Sequence, residues 1–357
     1  VVIHVVTEKG RGYGPAVGDE IEKLHAVPVS DPRTGLPLKT ELTWTNVFSE
    51  ALLSAGARYP ELVAITAAMP SPTGVLDFGR EFPERYFDVG ICEQHAVTFA
   101  AGLAMAGMHP VVAVYSTFMQ RAFDQALLDV CMHNLPVTFV LDRAGVTGPD
   151  GSSHHGVFDM TFMRCMPNLV IAAPADATEL CALLETAVAL DGPMVIRFPK
   201  GAAPSTPDLP VEALPVGRWE EIRRGNGGVC FLAIGRMVGV AMEAADILHA
   251  EGIEVGVVNA RWLKPVDPRL ATDWAQRYDL LISAEDNVVS GGFGAAVMET
   301  LAPSGLAGKV RVRALPDRFL PHARPQDILA AQGLDPRGLA QAARDELGAR
   351  ATSPDPG

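Results

Sequence analysis

The stretch "DVGICEQHAVTFAAG", residues 88 to 102, places a carboxylate and an imidazole where an apolar run gives way to a helix of small residues. A Glu in the first turn of a helix is usually a surface residue favoured by the helix dipole. Here Val97, Ala100 and Ala104 lie on the helix face below Glu93 and predict that this face is packed. We therefore expect Glu93 to face a protected space, where a carboxylate needs a partner and is suited to proton transfer.

A second candidate is "YSTFMQRAFDQ", residues 115 to 125, which combines aromatic rings with an arginine after another strand-like run. In one interpretation the Ser-Thr pair caps a helix, Phe118 is core, and Arg121 forms a weak surface pair with Asp124. In the other, Phe118 supports a planar ligand ring and Arg121 binds a carboxylate or phosphate. The residues alone leave both interpretations open.

The third candidate is the loop "DRAGVTGPDGSSHHGVFD", residues 142 to 159, in which charged residues and two histidines stand among four glycines. A loop of this length in a compact α/β unit is usually functional. A metal site is disfavoured, because adjacent histidines rarely bind one ion together and no other Cys or His cluster lies close in sequence. Acid–base or hydrogen-bonding roles suit His154 and His155 better, and a solvated turn-rich loop is the alternative.

The elements that must position these residues follow an α/β pattern. Apolar strand-like runs at 62–66, 111–115, 137–142, 169–174 and 194–199 alternate with helix-like stretches at 44–57, 93–106, 119–133 and 177–190. After a Pro-rich bridge at 200–217 the alternation restarts, with strands at 229–235, 255–261, 280–286 and 310–315 and helices at 239–251 and from about 291. Residues 1–6 also read as a strand. This pattern predicts parallel sheets with helices on both faces, whose shared carboxyl edge brings the three candidates together.

Composition excludes several classes of function. The chain has 357 residues, 48% of them hydrophobic, and a net charge of −13, which argues against nucleic acid or an anionic membrane as a partner. The five cysteines are scattered, odd in number and contain no C-x-x-C, so we expect reduced thiols in a cytoplasmic protein. No apolar run reaches the roughly 18 residues of a membrane span. The start, without Met and on a β-branched run, suggests that a segment belongs upstream.

Together with the opening "TEKGRGY", the three candidate stretches resemble the 1-deoxy-D-xylulose-5-phosphate synthase family, thiamine-diphosphate enzymes related to transketolase. The resemblance runs from residue 1 to 348 and implies two consecutive α/β domains with parallel or mixed sheets, of transketolase type. The implied division is 1–40, the end of an N-terminal diphosphate-binding domain and a linker; 41–200, the pyrimidine-binding domain; 201–217, a linker; 218–348, the transketolase C-terminal domain; and 349–357, a disordered tail.

The resemblance also implies an activity. Such a transferase decarboxylates pyruvate and joins the remaining two carbons to glyceraldehyde 3-phosphate, which gives a precursor of isoprenoids, thiamine and pyridoxal. Thiamine diphosphate and Mg²⁺ are the implied cofactors, and a homodimer is the implied assembly. The family binds the diphosphate through Mg²⁺ with a Gly-Asp-Gly motif, which this sequence lacks. We therefore expect no metal ligands in this chain, weak cofactor binding by the chain alone, and cooperation with its own N-terminal domain or fragment.

Residue roles come from the same resemblance, position by position. For the cofactor, it implies that Glu93 binds the pyrimidine nitrogen N1′, Phe118 stacks on the pyrimidine, Ile91 holds the cofactor bent, and Met69 lies beside it. For the substrates, it implies a pocket of Tyr115, Arg121, Asp150 and His154, with Arg143 on the phosphate of the aldehyde and His25 as a further active-site histidine. Lys200 stands where the family often has arginine, so the charge is kept but the planar two-point fork is lost.

Two other classes of protein remain possible. A β-type subunit of a 2-oxoacid dehydrogenase or of a split transketolase would also lack the diphosphate domain, but the "TEKGRGY" opening disfavours it. A non-catalytic subunit that kept only the fold is disfavoured by the presence of Glu93, Arg143 and His154 together.

Overall fold

The computed structural model describes residues 1–21, 23–25, 29–38 and 41–352. They divide into two compact units, Val1–Leu42 and Thr43–Gly357. The first unit contains the short helix α1, Gly14–Gly18, and a β-bridge between Ser30 and Pro37. The strand predicted at 1–6 is wrong, because these residues are exposed and make no strand pairing in the part that the structure describes. β-Branched residues favour extended backbone, but a strand also needs partners for its N–H and C=O groups.

In the described part of the second unit, twelve strands form two sheets. They are β1 Leu62–Thr66, β2 Tyr86–Asp88, β3 His109–Tyr115, β4 Thr138–Asp142, β5 Val170–Ala172, β6 Met194–Arg197, β7 Glu220–Arg223, β8 Val229–Ala233, β9 Gly256–Asn259, β10 Trp262–Lys264, β11 Leu280–Val288 and β12 Val310–Leu315. The first sheet has the order β10-β5-β6-β4-β3-β1-β2 and the second β12-β11-β8-β9-β7. Of these neighbouring strands, the β10–β5 and β7–β9 pairs are antiparallel and the others are parallel. The predicted α/β class with parallel or mixed sheets is confirmed.

Helices cover both sheets, and none in the described residues is long and apolar enough to cross a bilayer. They are α2 Trp44–Arg58, α3 Leu76–Glu81, α4 Glu93–Met105, α5 Ser116–Met119, α6 Phe123–Gln125, α7 Asp159–Met163, α8 Ala177–Ala189, α9 Met237–Ala250, α10 Pro268–Arg277, α11 Phe293–Leu301, α12 Pro325–Ala331 and α13 Pro336–Thr352. Helix α13 reaches Thr352, four residues beyond the predicted domain end at 348, and the rest of the tail predicted from 349, residues 353–357, lies outside the described residues.

The single helix predicted at 119–133 is divided in the structure. Helix α5 is followed by a 3₁₀ turn, Gln120–Ala122, then by α6 and by a π-helical segment, Ala126–Cys131. Irregular turns of this kind inside a helix often accompany functional sites. Here the irregularity begins directly after β3 and carries Phe118 and Arg121.

The core explains why the strands read as continuous apolar runs. Strands β1, β4 and β11 are buried along their whole length, as expected for strands covered on both faces. Within the first sheet, β2, β1, β3, β4 and β6 run parallel. Their carboxyl ends therefore share one edge of the sheet, which is where α/β proteins bind ligands.

Candidate active site

Glu93 lies at the first position of α4, at the end of a tight turn that follows β2. The carboxylate of Asp88 accepts hydrogen bonds from the backbone N–H of Gly90 at 2.9 Å and of Ala68 at 2.8 Å, which joins the ends of β2 and β1. Gly90 has a φ of 71°, which lets the chain turn into the helix. The face below Glu93 is packed as predicted, and Glu93 itself is only 3% exposed. The expected protected carboxylate is confirmed.

Arg121 is the charged partner of Glu93. Its Nη1 lies 3.6 Å from Glu93 Oε2, and its side chain is 53% exposed. This ion pair joins the ends of β2 and β3 and takes the place of the surface pair with Asp124 considered from the sequence. The separation is longer than the roughly 2.7–2.9 Å of a close charge-assisted hydrogen bond. The carboxylate therefore keeps acceptor capacity for a further donor.

An aromatic cluster stands beside this pair. The ring of Phe118 stacks on Tyr115, with centroids 5.6 Å apart and planes at 14°, and meets the edge of His154 at 5.6 Å. The Arg121 guanidinium carbon lies 5.8 Å from the centre of the Phe118 ring. Phe118 is only half-buried, so it is not the core residue of the plainer interpretation. The cluster offers a flat apolar surface next to a buried carboxylate.

Arg143 is held by three groups at the end of β4. Its guanidinium carbon lies 4.0 Å from the centre of the Tyr115 ring, and its Nη1 donates to the carbonyl of Pro72 at 2.6 Å and lies 3.4 Å from Asp142 Oδ1. Burial raises the pKa of Asp142 to about 6, although Arg143 and a hydrogen bond from Thr45 lower it. The Arg143 side chain is 12% exposed, so this cation is fixed in direction and presents little surface.

The remaining substrate candidates lie on the 143–156 loop and after β6. Lys200 Nζ lies 2.6 Å from Asp150 Oδ2, and the lysine side chain is 39% exposed. His154 Nδ1 lies 3.0 Å from the hydroxyl of Ser153, whose carbonyl accepts a hydrogen bond from Thr117 at 3.0 Å. This bond ties the loop to α5, and His154 thereby stays beside Phe118.

The structure also shows the positions of the other residues considered from the sequence. Met69 is buried just after β1, and its carbonyl accepts a hydrogen bond from Thr73 at 2.6 Å. Ile91 is 73% exposed on the turn before Glu93. His25 is exposed in the unit Val1–Leu42, so its role stays a prediction. His95 stacks on Phe99, with centroids 5.9 Å apart, on the outer side of α4.

Sequence reasoning missed a buried charged cluster between the two sheets. Arg197, at the end of β6, pairs through Nε with Asp159 at 2.8 Å and through Nη1 with Asp286 at 3.0 Å. Beside it Glu285 accepts hydrogen bonds from the first N–H groups of α11, and burial raises its pKa to about 7. The available signal was "AEDN" at 284–287, three polar residues that end an apolar strand.

The side chains around Glu93 fit one end of thiamine diphosphate. A buried carboxylate can bind a ring nitrogen, the half-buried Phe118 can stack on a pyrimidine, and the exposed Ile91 can contact the second ring. Within the described ranges no group of three His, Cys, Asp or Glu residues could hold a metal ion.

Comparison with known protein families and sequences agrees with this geometry. Residues 40–206 match the pyrimidine binding domain of transketolase, and residues 217–339 match the transketolase C-terminal domain. The 1-deoxy-D-xylulose-5-phosphate synthase of Aquifex aeolicus (strain VF5) is 47% identical over 350 residues, which are 97% of this chain and 55% of that protein. That of Thermobifida fusca (strain YX) is 46% identical over 358 residues, 98% of this chain and 56% of that protein. The chain thus spans about half the length of the curated relatives it matches, and the resemblance seen in the motifs is confirmed.

Solved structures give the same assignment. A split-gene transketolase, described as an inactive β4 tetramer, matches with a TM-score of 0.76 and 31% identity over 85% of this chain and 98% of that one. The transketolase of Campylobacter jejuni matches with a TM-score of 0.69 over 92% of this chain and 49% of that one, and its 17% identity supports the fold alone. The chain therefore belongs to the transketolase family and carries that family's pyrimidine-binding and C-terminal domains.

Proposed function

We propose that this chain is the pyrimidine-binding and C-terminal part of a 1-deoxy-D-xylulose-5-phosphate synthase. Such an enzyme decarboxylates pyruvate and joins the remaining two carbons to glyceraldehyde 3-phosphate, with release of CO₂. The single observation that carries the proposal is the buried Glu93 carboxylate, whose partner Arg121 also lies 5.8 Å from the centre of the half-buried Phe118 ring. Two relatives of that name at 47% and 46% identity support the choice of reaction.

In this proposal Glu93, Phe118 and Met69 hold the pyrimidine end of thiamine diphosphate, and Ile91 keeps the cofactor bent by contacting its second ring. The bound cofactor supplies the electron sink that decarboxylation of a 2-oxo acid requires. Glu93 holds a proton against the pyrimidine nitrogen N1′, and its 3% exposure keeps water from competing for that bond. Arg121 Nη1 lies 3.6 Å from the Glu93 carboxylate, on the exposed side of the site.

The substrates are bound by the cations and polar groups around this position. Tyr115, Arg121, Asp150 and His154 line the proposed pocket, and His154 and His25 are the candidates for moving substrate protons. Arg143 and Lys200 bind the phosphate of the aldehyde. Because Arg143 is 12% exposed and Lys200 is 39% exposed, lysine offers the larger binding surface. The phosphate must then compete with Asp150 for the Lys200 ammonium.

We further propose that the diphosphate and Mg²⁺ are bound by another domain, on the same polypeptide or on a second one. This chain together with such a domain is called the assembled enzyme. The predicted domain boundaries, 41–200 and 218–348, agree with the family matches within about ten residues.

We propose that the assembled enzyme is a homodimer. Met105, Leu128 and Met132, exposed on and beside α4, suit burial against a second copy. Five unpaired cysteines suit a cytoplasmic location.

Product analysis of the assembled enzyme tests the reaction. With pyruvate and glyceraldehyde 3-phosphate, the proposal predicts a five-carbon 1-deoxyketose phosphate and one CO₂ for each molecule formed. The rival β-type subunit is favoured by one observation, namely that this chain covers 98% of a split-gene transketolase chain. Transfer of two carbons from a ketose phosphate, with no use of pyruvate, would establish the rival and refute the proposal.

Calorimetric titration of the chain alone tests the division of cofactor binding. The proposal predicts weak binding of thiamine diphosphate that Mg²⁺ does not strengthen, since the residues that fit the cofactor fit only its pyrimidine end. Tight Mg²⁺-dependent binding by the chain alone would contradict it.

A further inference from the structure

His155 stands next to a proposed substrate residue but has no place in the mechanism above. It is buried on the 143–156 loop, where an imidazole loses its hydration and needs two partners. The backbone N–H of Thr147 donates to its Nδ1 at 3.1 Å, and its Nε2 lies 3.3 Å from the carbonyl oxygen of Pro321. A backbone N–H can only donate and a carbonyl can only accept, so Nδ1 carries the lone pair and Nε2 carries the proton. The neutral ring satisfies both backbone partners, and the Thr147 hydroxyl, 3.1 Å from Nδ1, can donate to the same lone pair.

The loop is fastened to residues 320–325, which we call the anchor segment, at further points. Two backbone hydrogen bonds between Gly145 and Gly156, at 2.7 and 2.9 Å, hold the two ends of the loop together. Ser152 donates to the carbonyl of Leu320 at 2.7 Å. At Gly148 an added Cβ would lie 2.6 Å from Pro325 Cδ, so the loop and the anchor segment pack backbone against side chain there. His155 is the buried bridge in this attachment.

We propose that His155 is a positioning residue that, as the neutral Nε2–H ring, fixes the 143–156 loop to the anchor segment and so places His154, Asp150 and Arg143 for the substrates. The inference deepens the proposed function and rests on it for the meaning of those three side chains. His154 precedes the bridge by one residue and meets Phe118 at 5.6 Å. Asp150 reaches Lys200 from the same loop.

Burial, more than the nearby charges, favours the neutral ring of His155. Burial lowers its pKa most, the Pro321 carbonyl and Asp150 raise it, and His154 lowers it. On the anchor segment the titratable side chain that approaches the loop is His322, whose Cβ lies 3.7 Å from the position of a Cβ added at Gly151. A proton on Nδ1 would face the Thr147 N–H donor, so acidification should loosen the bridge.

Hydrogen exchange in the chain itself tests the bridge without any assumption about the reaction. His155→Gln keeps an acceptor for Thr147 and a donor for Pro321 but cannot gain charge, whereas His155→Leu keeps similar bulk and offers neither. We expect protection of the Thr147 amide to fall about tenfold in His155→Leu, the equivalent of one lost hydrogen bond, and to change little in His155→Gln. Equal protection in the wild type and His155→Leu would overturn the inference.

Turnover of the assembled enzyme tests the positioning role. We expect His155→Leu to lower kcat/KM for the aldehyde about tenfold or more, and His155→Gln to stay within about threefold of the wild type at neutral pH. Because burial lowers the pKa of His155, the ratio of His155→Gln to wild-type activity should rise only well below the ordinary histidine pKa of about 6.5. His249→Gln, at an exposed histidine paired with Glu254, is the matched control.

Comparing His155→Gln with His155→Leu shows whether the positioning role or the proposed function is wrong. If His155→Gln behaves like His155→Leu and the pH dependence is unchanged, the residue only fills space and the inference is wrong. If the wild-type assembled enzyme has no synthase activity while the exchange result holds, the proposed function fails and the bridge stands as structure.

Discussion

Arg197 allows a prediction whose size can be worked out from the structure. It is a buried guanidinium that joins the first sheet to β11 of the second through Asp159 at 2.8 Å and Asp286 at 3.0 Å. Burial alone disfavours its charge, but the two carboxylates together raise the pKa of Arg197. Arg197→Met removes the cation and leaves two buried carboxylates close together. Breaking a buried pair in this way costs about 3–5 kcal/mol of the free energy of unfolding.

A second variant separates loss of the cation from loss of the polar cluster. Nη2 of Arg197 is buried with no hydrogen-bond partner among the described residues, so part of the cost of burying this side chain is not recovered. Replacing all three charged groups, as Arg197→Met with Asp159→Asn and Asp286→Asn, removes the charges that Arg197→Met alone leaves unpaired. We expect this triple variant to regain at least about 2 kcal/mol of the loss, because it no longer leaves two buried carboxylates without a cation.

Urea unfolding is the assay. Trp44 reports on the first domain, Trp219 and Trp274 report on the second, and Trp262 lies on β10 where it pairs with the first sheet. Fluorescence and far-UV circular dichroism together therefore show whether one transition or two occur. Arg80→Met is the matched control, since Arg80 and Asp77 form an exposed pair worth no more than about 1 kcal/mol. If Arg197→Met costs no more than Arg80→Met, or the triple variant costs as much as Arg197→Met, the reasoning is refuted.

Two further predictions concern pH and substrate. His109 is buried on β3, and burial lowers its pKa to about 4. The unfolded chain therefore binds a proton on His109 below about pH 6.5, whereas the folded chain does not bind it until about pH 4. The free energy of unfolding should fall as the pH is lowered across this window. His109→Leu should flatten that fall by up to about 3 kcal/mol, measured by urea unfolding at several pH values, and an unchanged slope would exclude His109 as its source. Arg143→Ala in the assembled enzyme should raise the KM for glyceraldehyde 3-phosphate at least about tenfold. The KM for an unphosphorylated aldehyde should change little. Equal losses for both aldehydes in steady-state kinetics would argue against a phosphate role for Arg143.

The sequence predicted best where local pattern and global fold agree. Strands 62–66 and 310–315 were predicted to the residue, the first because it is an apolar run buried along its whole length and the second because apolar residues alternate with arginine over most of it. Strand β10 was missed because it is three residues long and pairs with β5 of the other domain's sheet. Residues 119–133 were predicted to form one regular helix, because the spacing of apolar residues does not distinguish α-helical turns from 3₁₀ and π turns.

The candidate site divides in a similar way. The burial of Glu93 could be inferred, because the spacing of apolar and small residues along α4 predicts a packed face below it. Its pairing with Arg121 could not, because the two residues meet only when β2 and β3 end at the same edge. The bridge made by His155 and the cluster around Arg197 were missed for the same reason, since Pro321 and Asp286 lie 166 and 89 residues from the groups they bind.

The most direct test of the central claim, that Glu93 serves the pyrimidine of thiamine diphosphate, is the rate of product formation by the assembled Glu93→Gln enzyme. Gln keeps the shape but cannot exchange a proton with the ring nitrogen, so we predict a fall in turnover of at least about 100-fold with unfolding unchanged. Glu84→Gln, at an exposed glutamate before β2, is the matched control and should be neutral. Near-normal turnover of Glu93→Gln would contradict the proposed role.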